Sequence, residues 1–317
     1  MMCAPGPISG ATARLIFTQT HDTVPSDRDC RPARCIAKAL VKRGKAGDAL
    51  ATSDPVSDER VVRSVVLSAA LMATARGIPM LLAGEESLEF RSEPWPVPPH
   101  FDGARGGRGG AAAGVFACYR ALLHLRRNVV PATGAEGVTA GLTGDHVRVV
   151  HDNPHVGVVV WHRWRSGGPG DDTIIVANLG TRDFPEYRFG LPRGGEWAVR
   201  FFSGCYSAQR EDLSQLRRLV SARQPRGHAR SSSHGAGVGV GAGAGGSQAL
   251  VGDLDAKPLS AADDVVDPTN VLVVGDATEQ GHRVAWTAAR EEFDCFPYRV
   301  AGVLPKHSVI VLSQDRH

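Results

Sequence analysis

Leu15-Ile16-Phe17-Thr18-Gln19-Thr20-His21-Asp22 and Gly77-Ile78-Pro79-Met80-Leu81-Leu82-Ala83-Gly84-Glu85-Glu86 are the two stretches whose reading decides the fold. The first is a short apolar run that stops abruptly at His21-Asp22. The second follows a long apolar segment, breaks at Gly77-Ile78-Pro79, runs through three apolar residues and ends on glycine and two acids. Each reads as a buried strand whose C-terminal end presents polar groups. In parallel α/β folds that edge is where ligands bind and chemistry is done.

The chain around them has globular proportions. It holds 317 residues, 42% hydrophobic and 22% charged, enough for a sizeable core and two domains. A formal net charge of +3 is too weak and too scattered for a dedicated nucleic-acid binder, which needs a basic stripe. No apolar run is long enough to cross a bilayer, so neither nucleic acid nor membrane is an expected partner. Met1-Met2-Cys3-Ala4-Pro5-Gly6-Pro7 lacks the basic start and apolar stretch of a secretory signal. The six cysteines, Cys3, Cys30, Cys35, Cys118, Cys205 and Cys295, show no metal-ligand spacing. They predict reduced thiols in an intracellular protein, with a plastid address left open.

Working outward, residues 15–20 are expected to form a strand and residues 23–58 a long loop. Ser57 is a plausible N-cap for a helix opening at Asp58-Glu59. Val62, Val65, Val66, Ala69, Leu71 and Met72 make that helix nearly continuously apolar, as for one packed on a sheet. Gly77 ends it and Met80-Leu81-Leu82 is the next strand. Residues 91–114 read as loop, with a second amphipathic helix over Ala111 to Arg127. The strand–helix–strand–helix order implies parallel strands.

The character changes after Pro131. Short segments follow at Val147–Val150, Val156–His162, Thr173–Asn178 and Trp197–Phe202, separated by turn residues, and predict an antiparallel β-sandwich. Val271–Val274, Arg283–Trp286 and Ser308–Leu312 are read as completing it. Residues 208–268, with Ser231-Ser232-Ser233 and the Gly/Ala/Val tract at 235–246, are low in complexity and are expected to be a disordered insertion.

Phe17-Thr18-Gln19-Thr20-His21-Asp22 resembles the F-x-x-x-H-D segment at the seventh barrel strand of the α-amylase superfamily, glycoside hydrolase family thirteen. Gly77 to Glu86 resembles that family's eighth-strand segment, G-x-P-M-x-x-x-G-x-E. Phe184 to Arg200 and His307 to Asp315 are similar to the all-β C-terminal domain of 1,4-α-glucan branching enzymes. The resemblance implies an α/β plus all-β chain, the C-terminal part of a (β/α)8 barrel followed by an antiparallel β-sandwich. Residues 1–128 would be the seventh and eighth βα units. Residues 129–317 would be the all-β domain, interrupted at about 208–268. A two-strand remnant has open edges, so residues 1–128 are expected to order weakly alone.

The family's chemistry sets the expected roles. A retaining glycosidase or transglycosylase sets a nucleophilic and an acid/base carboxylate about 5–5.5 Å apart. In this family a third carboxylate holds sugar hydroxyls, binding more strongly as the ring flattens toward the transition state. The resemblance gives that role to Asp22 and a substrate-binding role to His21. Trp95 is a further candidate for stacking on a glucose ring, with Phe101 beside it in sequence. The resemblance assigns Glu86 a rim role, and Glu85 and Glu86, as neighbours on an extended chain, are expected to face apart. Arg28, Arg31 and Arg34 read as a solvated face. Trp161, Trp164, Trp197 and Trp286 read mainly as core, with a surface pair as a secondary glucan contact.

The nucleophilic Asp and the acid/base Glu belong to the fourth and fifth strands and have no counterpart here. The expectation is an α-glucan protein, closest to branching enzymes, that is inactive alone. No cofactor and no metal is implied. The partners implied are an α-glucan polysaccharide and the missing barrel part, or another subunit. The rival readings are a non-catalytic glucan-binding or assembly module, and an incomplete gene model of an α-amylase-type hydrolase.

Overall fold

The computed structural model describes residues 14–20, 31–47, 56, 58–89, 111–130, 134–206 and 285–316. It combines helices with mainly antiparallel sheet, and among the described residues there is no closed barrel. The segments read as the 208–268 insertion and as the strand Val271–Val274 lie outside the described residues.

The first strand is shorter than expected. β1 is Leu15–Ile16 and β2 is Ile78–Pro79, paired in parallel with Leu15 opposite Ile78. The Met80 N–H still bonds the Ile16 carbonyl at 2.8 Å, but Met80 to Leu82 are not strand. The close approach depends on Gly77, at φ +143°, where a Cβ would lie 2.4 Å from Ile16 Cγ1.

The stretch read as a continuous loop over 23–58 contains a helix, α1, Pro32–Lys42. Pro32 suits the first turn, where its missing N–H costs nothing. Ala33, Ile36, Ala37 and Leu40 give one apolar face, with Ala33 and Ala37 buried. Gly44, at φ +65°, closes it by donating to Val41 while Lys45 donates to Leu40, a left-handed cap that glycine makes cheaply. α2 is Glu59–Thr74. Its N-cap is Asp58, whose carboxylate accepts the Arg60 N–H at 2.8 Å; Ser57 lies outside the described residues. α3 is Ala111–Arg127, as the periodicity predicted.

The β region is a six-stranded antiparallel sheet with a two-stranded sheet beside it. The strands are β3 (His146–Asn153), β4 (Val158–Trp164), β5 (Thr173–Asn178), β6 (Phe184–Leu191), β7 (Gly195–Phe202), β8 (Ala285–Ala288), β9 (Tyr298–Leu304) and β10 (Ser308–Ser313). The large sheet runs β3-β4-β5-β10-β7-β8, and β6 pairs with β9.

The large sheet is covered on both faces. Val158, Val160, Ile174, Val176, Ile310 and Leu312 share a core with Phe189 of β6 and Val300 of β9. The alternate residues Trp161, Ile175, Ala177, Val309 and Val311 share a second core with Val62, Val66 and Ala70 of α2 and Leu122 of α3. Strands with two dry faces lose the apolar–polar alternation, and β5 and β10 are buried at every position. On β7 a bulge at Arg200 shifts the phase, so that Val199 faces one core and Phe201 the other.

Two arginines, one from the sheet and one from α3, meet at the C-terminus of α2. Arg163 of β4, fully buried, donates to the carbonyls of Thr74, Leu142 and Gly144 at 2.8–2.9 Å. Arg126 of α3 donates to Ala75 at 2.7 Å, to Ala73 at 3.3 Å and to Gly77. Together they engage carbonyls at and beyond the α2 C-terminus, where the helix itself supplies no donors and positive charge is favoured.

Candidate functional site

The C-terminal ends of β1 and β2 converge on one carboxylate. After β2 the chain turns at Gly84, φ +101°, where a Cβ would meet Glu89 Cβ at 2.9 Å and approach an Arg31 guanidinium nitrogen at 3.4 Å. Glu85 to Ser87 then form a single 3-10 turn, and Glu89 N–H bonds the Gly84 carbonyl at 2.8 Å. This curled backbone, unlike the extended one expected, swings Glu85 inward. Glu86 instead folds over its own turn and accepts the Gly84 N–H at 2.9 Å.

Glu85 is 3% exposed. Its Oε2 accepts from Thr18 Oγ1 at 2.7 Å and from the Tyr119 hydroxyl at 3.3 Å; its Oε1 accepts from the Leu82 N–H at 3.2 Å. Burial raises its pKa above the ordinary glutamate range, against the opposing effect of these donors and of Gln19. The raised pKa means that desolvation outweighs the hydrogen bonds. Burial, and then the Glu85 charge, push Tyr119 well up in turn.

Gln19 and Arg31 complete the surroundings. Gln19 is 4% exposed and its amide has no hydrogen-bond partner among the described residues, although it lies near enough to Glu85 to favour the charged form. Arg31, read from sequence as part of a solvated face, is buried and donates from Nη1 to the Ala83 carbonyl at 3.0 Å. Arg34 is half-buried, and Arg28 lies outside the described residues. The cluster fixes the two strand ends against each other and against α3. Its chemistry is that of a positioning acid, since the groups that reach it, Thr18, Tyr119 and the Leu82 N–H, are protein donors.

His21, Asp22, Trp95 and Phe101 lie outside the described residues. The described chain reaches Thr20, two residues beyond the Thr18–Glu85 contact, so the cluster anchors the segment that leads into His21-Asp22. Glu85, Thr18 and Tyr119 were not singled out from sequence as one site. The available signal was a buried tyrosine in an apolar helix face, whose hydroxyl needs a partner.

Two further polar networks lie in the β layer. His151 Nδ1 is 3.0 Å from both carboxylate oxygens of Asp294, and its Nε2 is 2.7 Å from the Tyr187 hydroxyl. Asp294 also accepts the Gly190 N–H at 3.0 Å. In the second, Asp172 meets His162 Nε2 at 2.9 Å and Arg193 Nε at 2.7 Å. Burial alone would raise Asp172, but His162, Arg193 and the Gly168 N–H outweigh it and hold the carboxyl below its usual range. Three of the four tryptophans of this region, Trp161, Trp197 and Trp286, are core residues; Trp164 is half-buried.

No protein-family model matches the chain, and no curated protein matches its sequence. Solved structures that it resembles include the pullulanase from Bacillus acidopullulyticus, at TM-score 0.43 and 11% identity, over 95% of this chain and 24% of that one. A debranching enzyme from Nostoc punctiforme follows at 0.41 and 13%, covering 95% and 35%. An alpha-amylase from H. orenii gives 0.39 and 12%, covering 95% and 49%. The chain thus spans less than half the length of each of these proteins.

Proposed function

We propose that the chain is an α-glucan-active protein of the α-amylase type, most similar to the C-terminal part of a 1,4-α-glucan branching enzyme. The observation that carries this reading is the parallel pairing of β1 with β2. The two segments that resemble consecutive barrel strands lie side by side in register, and Thr18 at the end of one bonds Glu85 at the end of the other. Leu15, Phe17 and Ile78 are 57%, 47% and 42% exposed. Parallel sheets are ordinarily covered on both faces, and this open apolar face is where further barrel strands, from the same polypeptide or another subunit, would pack.

Under this reading the Glu85 cluster holds the strand ends rigid, Asp22 hydrogen-bonds two sugar hydroxyls and His21 a third. A rigidly held acceptor loses nothing to reorganisation as the ring flattens. The nucleophile and the acid/base come from other strands, so this polypeptide alone binds α-glucan without turning it over. Affinity electrophoresis through glycogen gels, run beside an amylose branch-point assay, tests both halves. Retardation without new branch points or reducing ends is expected. Migration unaffected by glycogen or starch would overturn the glucan reading, and robust turnover would overturn the inactivity. Retardation that survives Asp22→Asn undiminished would favour the second reading, a binding module whose contacts lie in the β layer.

A further inference from the structure

We propose that the outward face of α1 is a binding strip for phosphate monoester groups carried on an α-glucan chain that runs on from the β1–β2 edge. The inference rests on the α-glucan reading above and names the kind of glucan. From Arg31 to Lys45 the chain carries Arg31, Arg34, Lys38, Lys42, Arg43 and Lys45 and no acid, although the whole protein has a formal net charge of only +3. Folding turns this run into a row. Arg31, Arg34, Lys38 and Lys42 recur at the three- and four-residue spacing that places side chains on one helix face. The opposite face, Ala33, Ile36, Ala37 and Leu40, packs into the core. The row is about 16 Å long. Lys45 extends it, with its carbonyl held by the Arg60 guanidinium at 2.9 Å.

The row begins at the strand ends. Arg31 Nη1 reaches the Ala83 carbonyl, just beyond β2. Exposure then rises from buried Arg31 through half-buried Arg34 to exposed Lys38 and Lys42. Arg31 is 9% exposed, yet among the described residues Ala83 is its one acceptor, its Nε has none and no carboxylate pairs with it. A buried cation without an anion is costly. The helix dipole adds to the cost. Arg31 and Arg34 stand at the positive end of α1, whose first turn holds no acid and whose N-cap makes no side-chain bond. Lys42 and Arg43 suit the negative end, so the dipole accounts for them and not for the first pair. An anion at the start of the row satisfies both the arginine and the helix.

The surface selects among anions. No phenylalanine, tyrosine or tryptophan occurs between Phe17 and Phe90, so α1 and its flanks carry no stacking platform for single-stranded nucleic acid. The exposed residues interleaved on the outer side, Cys35 and Ala39, are small. They offer no anchor to a folded protein, whose binding energy concentrates in large buried side chains. What remains is a line of charged heads leading away from a glucan edge. Phosphate esters on an otherwise neutral sugar chain match it: the sugars engage the edge, and the esters meet the guanidinium and ammonium groups.

The test is affinity electrophoresis of the full chain through phosphorylated amylopectin and through the same polymer after phosphatase treatment. The double variant Lys38→Gln/Lys42→Gln runs beside the unaltered protein, with a thermal unfolding curve for each. Both lysines are exposed and glutamine is a comparable helix former, so the fold is kept. Retardation of the unaltered protein should be roughly tenfold stronger in the phosphorylated polymer, the sum of several modest ion pairs. That excess should disappear in the variant, and also at about 0.5 M salt. Equal retardation of the unaltered protein in the two polymers would overturn the strip and leave the α-glucan reading standing. No retardation in either would sink both. An excess that persists in the folded variant would place the phosphate elsewhere and overturn the proposal. So would displacement of the phosphorylated polymer by polyglutamate or an oligonucleotide at a lower concentration of charge, which would assign the strip to an acidic polypeptide or a nucleic acid.

Discussion

Thr18 Oγ1 and Glu85 Oε2 lie 2.7 Å apart although 67 residues separate them in the chain. The contact joins the end of β1 to the turn after β2, and Tyr119 of α3 shares the same oxygen. A two-residue parallel ladder is too short to hold itself together. The buried carboxylate supplies the cross-link that its backbone lacks.

Glu85 therefore sets a pH dependence with a definite sign. Its folded pKa is raised by burial, so the folded state binds its proton more tightly than the unfolded chain. The stability gained from that proton is complete below the ordinary glutamate value of 4.5 and is lost as pH rises through the folded value. Glu85→Gln, which retains an acceptor for Thr18, should remove this fall; equilibrium unfolding at several pH values measures it. Glu85→Ala leaves Thr18, Tyr119 and the Leu82 N–H without their acceptor and should cost about 1–3 kcal/mol. An unchanged pH slope in Glu85→Gln would show that Glu85 is not the group responsible.

Arg163→Ala should be among the most damaging single changes. It removes the donors to Thr74, Leu142 and Gly144 and leaves a cavity in a fully buried site, at an expected cost of at least ~3 kcal/mol. Arg163→Lys should recover little, because one ammonium cannot reproduce the planar fork that reaches carbonyls on both sides. Chemical denaturation of the two variants provides the comparison; near-wild-type stability for the lysine would refute the fork argument.

What the sequence disclosed follows from the range of each interaction. α3 was legible to the residue, and β5 likewise, because a complete apolar pattern bounded by turn residues needs no outside information. The basic residues of α1 masked its Ala33-Ile36-Ala37-Leu40 face and led to a loop reading. β6 was hidden by Pro185, which sits beside a register irregularity on a two-stranded sheet, a position where proline is tolerated. Glu85 could not be separated from Glu86 by sequence, since the partners that distinguish it lie 67 and 34 positions away. The resemblance supplied His21-Asp22 as an expected site, while the Thr18–Glu85–Tyr119 cluster became visible only in the folded chain.

The β8–β9 turn carries stored backbone strain. Asp294 and Cys295 both adopt left-handed conformations, at φ 53° and 63°, and the first supplies the carboxylate that grips His151. Such residues cost about 1–3 kcal/mol each. Cys295→Gly should accordingly stabilise the protein, since Cys295 is exposed and glycine adopts this conformation freely. Tyr187→Phe should cost about 1 kcal/mol through the lost hydrogen bond to His151. Thermal unfolding tests both; a destabilised Cys295→Gly would mean that its side chain contributes more than its backbone costs.

The last prediction concerns whether the helices and the large sheet unfold together. Sequence reasoning expects residues 1–128 to order weakly on their own, because two strands leave open edges. Yet Val66 of α2 and Val311 of β10 are both fully buried in one shared core, with Phe201 and Leu122 beside them. A core built from two layers cannot lose one layer without exposing the other, and each large buried side chain removed from it costs about 2–5 kcal/mol. Native-state hydrogen exchange on the full chain should then give the Val66 and Val311 amides a common, global opening free energy. Phe201→Ala should lower both by the same amount, although Phe201 belongs to β7. The amides flanking Ile78 should exchange earlier, since the short β1–β2 ladder stands with one apolar face open. Fast exchange at Val66 with continued protection at Val311 would separate the two layers and overturn the shared-core account.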